Sequence, residues 1–220
     1  MGIPAAPENL ADRLVASVSQ PGSARTSPAL YRVLLRQLSH GEPITIDELA
    51  AAAGQSPEWV RCIVSSWPDA EYDREGRING WGLTLRPTPH KFSINGKQLY
   101  TWCALDTLFL PAVIGRPALI ESPCAATSAP IRLTVDPVAG VTTLGPATAV
   151  VSIVTPEQVS SVRTAFCNPG RFFVTADAAR DWQAKHPGME VLSVADAYLA
   201  SRPLSKMLLD GSPMLACCAS

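Results

Sequence analysis

Much of the usual catalytic equipment is missing from these 220 residues. There is no Gly-rich loop of the Walker or dinucleotide-binding type, which excludes the common nucleotide-dependent chemistries. No CxxC pair is present, so the simplest structural zinc site is excluded as well. The three histidines, His40, His90 and His186, share neither HxxxH nor HxxE spacing. Each lies near Gly or Pro, where a loop or helix-end position is expected.

Charge is scarce too. Charged residues make up 17% of the chain and the formal net charge is -1, so no global field draws in a polyanion. The longest nearly uncharged apolar stretch, residues 147–154, falls far short of the ~20 residues that span a bilayer. Residues 1–20 carry Glu8, Asp12 and Arg13 and so lack the basic and uninterrupted apolar regions of a secretory leader. A cytoplasmic, soluble chain with no membrane partner is expected. With 47% apolar residues it is long enough to bury a sizeable core without disulfide staples. The six cysteines, at 62, 103, 124, 167, 217 and 218, are therefore read as buried apolar residues or as functional thiols.

The first third of the chain reads as helices. Leu10, Leu14 and Val18 recur at helical spacing, and Leu30, Val33, Leu34 and Leu38 resume it after a Pro-Gly-Ser break. Thr45 and Glu48 have the spacing of a capping box, and Gly54 closes that short helix. Ser56 and Pro57 then open a helix that carries Val60, Ile63 and Val64 on one face. Two short helices around a Gly turn, followed by a potential β wing over residues 72–85, make a helix-turn-helix pattern. A DNA reader needs several phosphate and base contacts. Here Arg61 is the one cation on the second helix, and Asp69, Glu71, Asp73 and Glu75 follow it. A structural winged-helix-like module with no nucleic-acid partner is expected.

From Lys91 the periodicity changes. Residues 92–94 and 98–100 flank Asn95-Gly96, the signature of a tight hairpin. Further strands are expected at residues 118–121, 131–135, 141–144 and 149–154, with a helix over 103–114 despite Pro111. Thr155-Pro156 opens another helix toward Arg163, and Asn168-Pro169-Gly170 makes a turn with Cys167 at its entrance. Later helices are expected at 177–185 and 193–200, the last interrupted by Pro203. The predicted class is α+β: a winged-helix-like N-terminal module (1–86) packed on a mixed β-sheet domain with flanking helices (87–210), then a Cys-containing tail (211–220).

One constellation carries chemistry. Cys103 and Asp106 stand three residues apart at a predicted helix N-terminus, on one face. The unpaired N–H groups there favour a thiolate and a carboxylate. On residue types alone, a buried apolar cysteine beside a dipole-paired aspartate explains the pattern equally well.

The run Trp102-Cys103-Ala104-Leu105-Asp106 after the hairpin, then Ser122-Pro123-Cys124, then Phe166-Cys167 before an aromatic stretch, resembles the bacterial alkylmercury lyase family. The resemblance spans roughly residues 28–208. It implies a nucleophilic thiolate at Cys103, a second thiolate at Cys167 and a proton-relaying carboxyl at Asp106. These three are the expected catalytic residues and the expected ligands of mercury. The implied substrate is an organomercurial, cleaved to a hydrocarbon and Hg(II), with no cofactor required. The implied Hg(II) acceptors are a low-molecular-weight thiol or a mercuric reductase. Chemistry agrees, because soft mercury prefers thiolates to oxygen or imidazole ligands. Trp102 either packs on the organic group or anchors its helix. Cys124 resembles a structural cysteine, and Cys62 reads as core. Asn168 stands where some relatives place another cysteine. Cys217 and Cys218, beyond the resemblance, are either part of a frayed end or a mobile dithiol that passes Hg(II) on. A mercury-sensing regulator and a metallochaperone are the alternatives; both keep the thiols but dispense with the acid.

Overall fold

The computed structural model describes residues 7–17, 27–67, 69–154 and 163–211. The chain opens with α1 (Pro7–Ser17), α2 (Pro28–Leu38), α3 (Ile46–Ala53) and α4 (Pro57–Ser65). The capping signals act as their chemistry dictates. The Thr45 hydroxyl accepts from the Glu48 N–H at 3.1 Å while the Glu48 carboxylate accepts from the Thr45 N–H at 2.8 Å. Gly54 ends α3 in the left-handed conformation, and Ser56 caps α4 with Pro57 in its first turn.

Strands β1 (Glu71–Tyr72), β2 (Ile78–Trp81) and β3 (Leu83–Thr84) form the wing. They do not stop there. Leu83 pairs with Thr101, so the wing joins a sheet containing β4 (His90–Ile94), β5 (Lys97–Thr101), β6 (Ala118–Pro123), β7 (Pro130–Asp136) and β8 (Gly140–Gly145). Its strand order is β1-β2-β3-β5-β4-β6-β7-β8. The β4–β5 turn places Asn95 at φ 51° and Gly96 at φ 72°, the paired left-handed residues a two-residue hairpin needs. A second sheet, in the order β10-β9-β11, is built from β9 (Val150–Ile153), β10 (Phe172–Phe173) and β11 (Glu190–Ser193).

The α+β class is as expected, but every described pairing is antiparallel, so the sheet is not mixed. Hairpins account for much of this, and even α5 (Ala104–Ile114), which links β5 to β6, returns the chain antiparallel to β4. That helix is buried almost all round, touching α2, α7 and strands of both sheets. A helix this apolar is stable only in such a place.

Two helices follow the second sheet's strands: α6 (Ala176–Lys185) and α7 (Val194–Asp210). The expected break at Pro203 is absent, and α7 runs on for 17 residues. Proline withholds the N–H that would reach the Leu199 carbonyl, but Leu199 is 52% exposed, on the solvent side where water can take that bond. The packed side continues: Leu204 and Leu208 are buried, and α7 lies against α1, α2 and α5. His90 is also not in a loop. It opens β4, fully buried, with Nδ1 2.9 Å from Ser122 Oγ, and burial together with the Arg171 charge lowers its pKa to about 3. Cys62, expected in the core, is only half-buried on α4. The helix expected from Thr155 falls mostly outside the described residues, as do Cys217 and Cys218.

Leu204→Ala should cost about 2–5 kcal/mol in denaturant unfolding, because it empties a packed site, whereas Leu199→Ala should change stability by less than about 0.5 kcal/mol.

Candidate active site

The site is assembled from two segments far apart in the chain. Cys103 is the N-cap of α5, in extended conformation (φ -143°, ψ 171°). Its backbone N–H donates to Asp106 Oδ2 at 3.1 Å, and the Asp106 N–H points back at the Cys103 sulfur. The pair is thus a capping box in which a thiol replaces the usual hydroxyl. One local motif fixes both side chains against each other.

Cys167 arrives on a π-helical turn, Arg163–Cys167, whose Arg163 carbonyl accepts from the Asn168 N–H at 2.8 Å. The chain then doubles back. The Gly170 N–H donates to the Cys167 carbonyl at 2.9 Å, and the Gly170 carbonyl accepts from the Ala104 N–H at 3.1 Å. Strand β9 pins this loop through Ser152, whose hydroxyl donates to the Pro169 carbonyl at 2.7 Å. The Trp182 indole N–H adds a bond to the same carbonyl at 3.3 Å.

The result brings Cys103, Asp106 and Cys167 together, with one ligand atom from each lying within 4.8 Å of the others. Their exposures are 1%, 5% and 2%, so water is almost excluded. That burial decides the electrostatics. It pushes the Asp106 carboxyl up to about 7, against hydrogen bonds from Cys103 and the Trp102 N–H that favour the charged form. Burial also raises the Cys103 thiol, so the helix N-terminus does not prevail as the sequence suggested. The Cys167 thiol is held well above its ordinary value by its hydrogen bond with Cys103 and by burial, with partial relief from Arg163. At rest the cluster keeps its protons on sulfur. A soft metal that displaces them gains two thiolates and leaves a proton next to a carboxyl able to hold it.

The model of the alkylmercury lyase family matches residues 83–206, and that of the helix-turn-helix domain of alkylmercury lyase matches residues 9–82. The chain belongs to the alkylmercury lyase family. It is 52% identical over 211 residues to the alkylmercury lyase of Streptomyces lividans, covering 96% of this chain and 98% of that protein. Identity to the Bacillus cereus alkylmercury lyase is 50% over 189 residues, 86% of each chain. The Pseudomonas putida alkylmercury lyase is 40% identical over 200 residues, covering 91% of this chain and 94% of that one. The fold matches the crystal structure of the mercury-bound form of MerB2 with a TM-score of 0.71 at 23% identity, covering 92% of this chain and 98% of that one.

Among the described residues, the other cysteines stay apart from this family member's cluster. Cys124 is buried after β6, its N–H bonded to the Ala129 carbonyl at 2.8 Å, and it does not belong to the cluster. Trp102 is the anchor rather than an open platform: it is 3% exposed, and its Nε1–H donates to Glu71 Oε1 at 3.1 Å. Two neighbours escaped the sequence reading. Glu71 looked like one of a run of surface acids, and Gly170 like an ordinary turn residue. A Cβ on Gly170 would lie 3.2 Å from the Cys103 Cβ and 3.6 Å from its sulfur. Gly170→Ala should therefore leave the unfolding midpoint within about 1 kcal/mol of the parent but cut turnover by about tenfold or more, because it wedges the two thiol segments apart. Steady-state assays beside denaturant melts check both halves.

Proposed function

We propose that this alkylmercury lyase takes up its organomercurial on Cys103 and Cys167 and cleaves the carbon-mercury bond with a proton carried by Asp106. The observation that supports these roles is the buried triad of two sulfurs and one carboxyl within reach of a single ion. As one thiol bonds to mercury, its proton passes to Asp106, and the second thiol's proton leaves with the displaced ligand. Two thiolates raise the electron density on the metal. The Asp106 proton then goes to carbon as the carbon-mercury bond pair closes on it, giving R–H and Hg(II) bound to both sulfurs. A free carbanion never forms. Position is therefore worth more than acid strength, and the capping box supplies it.

The cytoplasm, where low-molecular-weight thiols are abundant, is the compartment this chemistry suits. Such a thiol, or a mercuric reductase, would then relieve the site of Hg(II). Among the described residues no helix is long and apolar enough to cross a membrane. The helical N-terminal module serves as a support and not as a DNA reader in this proposal. Its wing is continuous with the main sheet, and Glu71 faces inward.

Headspace gas from methylmercury tests the roles. The parent should release methane; Cys103→Ser, Cys167→Ser and Asp106→Asn should not, while Asp106→Asn still binds Hg(II). Methane from any of the three variants removes that residue's role.

Asp106 also has a stability signature. Its folded pKa of about 7 lies above the ordinary carboxyl value of 3.8, so the folded chain holds a proton that the unfolded chain releases between those values. Stability is then greatest below about pH 4 as far as this group is concerned, and is lost as pH rises through about 7. Asp106→Asn should flatten that slope and be more stable than the parent at pH 8, which urea melts across the range would read.

A further inference from the structure

Glu71 is 5% exposed, yet it stands on the wing, outside the thiol cluster. Its carboxylate gathers three partners. Oε1 accepts the Trp102 indole N–H at 3.1 Å and pairs with the Arg163 guanidinium, and Oε2 takes the Thr84 hydroxyl. The Arg163 guanidinium in turn lies over the Trp102 ring, 5.2 Å from its centroid. The Asp69 carboxylate accepts the Arg163 backbone N–H at 3.1 Å, fixing the main chain as well as the side chain. Space has been cleared for this: a Cβ on Gly80 would come within 2.7 Å of both Glu71 Oε2 and the Thr84 hydroxyl.

Trp102 immediately precedes Cys103, and Arg163 opens the π-helical turn that ends at Cys167. A single buried carboxylate thus holds the chain on either side of the proposed mercury site. A buried carboxylate without a countercharge is costly even when hydrogen-bonded, and Arg163 supplies the countercharge. We propose that Glu71 and Arg163 form a latch that positions Cys167 against Cys103, so that mercury held by the first sulfur is captured by the second. The inference rests on the reading of Cys103 and Cys167 as the mercury ligands. Glu71 is a positioning residue here, with no contact to the reacting atoms required.

The latch has a kinetic consequence that simple structural support does not. First capture needs one thiol, while cleavage and retention of Hg(II) need both. Loosening the latch should therefore lower kcat and hasten loss of Hg(II), with little change in KM. Glu71→Gln keeps the shape and an acceptor for Trp102 but removes the charge, and Arg163→Gln removes the other half. In the full-length protein, each should lower kcat and speed the release of Hg(II) to a competing dithiol by about tenfold, the worth of one charge-assisted hydrogen bond. X-ray absorption should find fewer than two protein sulfurs per mercury in both. The double variant should be no worse than the poorer single one, because the two share one interaction.

Additive losses in the double variant would overturn the latch, as would two sulfurs on mercury with unchanged release in folded single variants. Melting temperatures accompany each measurement. A variant that merely loses stability, with turnover per folded site intact, also overturns it. Cys103→Ser and Cys167→Ser run in parallel: if they keep methane release, the ligand reading fails, and if they abolish it while the Glu71 cycle is additive, only the latch fails.

Discussion

Three ionisable groups buried together, two thiols and a carboxyl, are the constraint from which the rest follows. Water stabilises thiolates, and its exclusion makes the two thiols, with their protons on, the resting forms. The site is therefore nearly neutral until a metal arrives that sulfur prefers to protons. In the proposed reaction substrate binding and proton release are one event, and the proton is released beside Asp106, whose carboxyl near pH 7 is balanced between taking and giving it. The same burial that sets up the chemistry weakens the fold at neutral pH, a trade seen where function requires a charge in a dry place.

Holding such a cluster requires rigid neighbours. Helix α5 is buried almost all round, so its N-terminus is fixed with respect to both sheets. The returning loop is fastened by Ser152, Trp182 and the Gly170 to Ala104 bond. On the other side, Trp102 packs against Trp81 with ring centroids 5.6 Å apart, and Trp81 against Tyr31 of α2 at 4.9 Å. Through this aromatic wall and through Glu71, the N-terminal helices and wing bear on the thiols. A module that looks like a nucleic-acid reader has become part of the wall of an active site.

Local signals survived translation into structure, and distant ones did not. The Thr45 and Glu48 capping box, the Asn95-Gly96 hairpin and the Cys103 to Asp106 spacing all depend on a few neighbouring residues, and each was legible. The meeting of Cys167 with Cys103 depends on a π-helical turn and two strands of the second sheet, and only family resemblance foretold it. Strand β10 is two residues long and no strand was expected at β11, so of the second sheet only β9 was foreseen. Glu71 and Asp73 are two places apart on the same acidic run, but one is buried and the other pairs with Arg77 nearer the surface. No local pattern separates them, since the difference is made by Arg163, 92 residues away. Pro203 misled for the opposite reason: local chemistry argued for a break, and burial of Leu204 and Leu208 outweighed it.

In the proposed reaction the sulfurs of Cys103 and Cys167, and not the protein's other thiols, end bonded to the same mercury. Anomalous diffraction at the mercury edge, from crystals allowed to turn over an organomercurial, reads this directly. One strong peak should bridge the sulfur atoms of Cys103 and Cys167, with no density for the organic group. Mercury on Cys103 alone with its alkyl group retained, or mercury collected instead at Cys124, would contradict it.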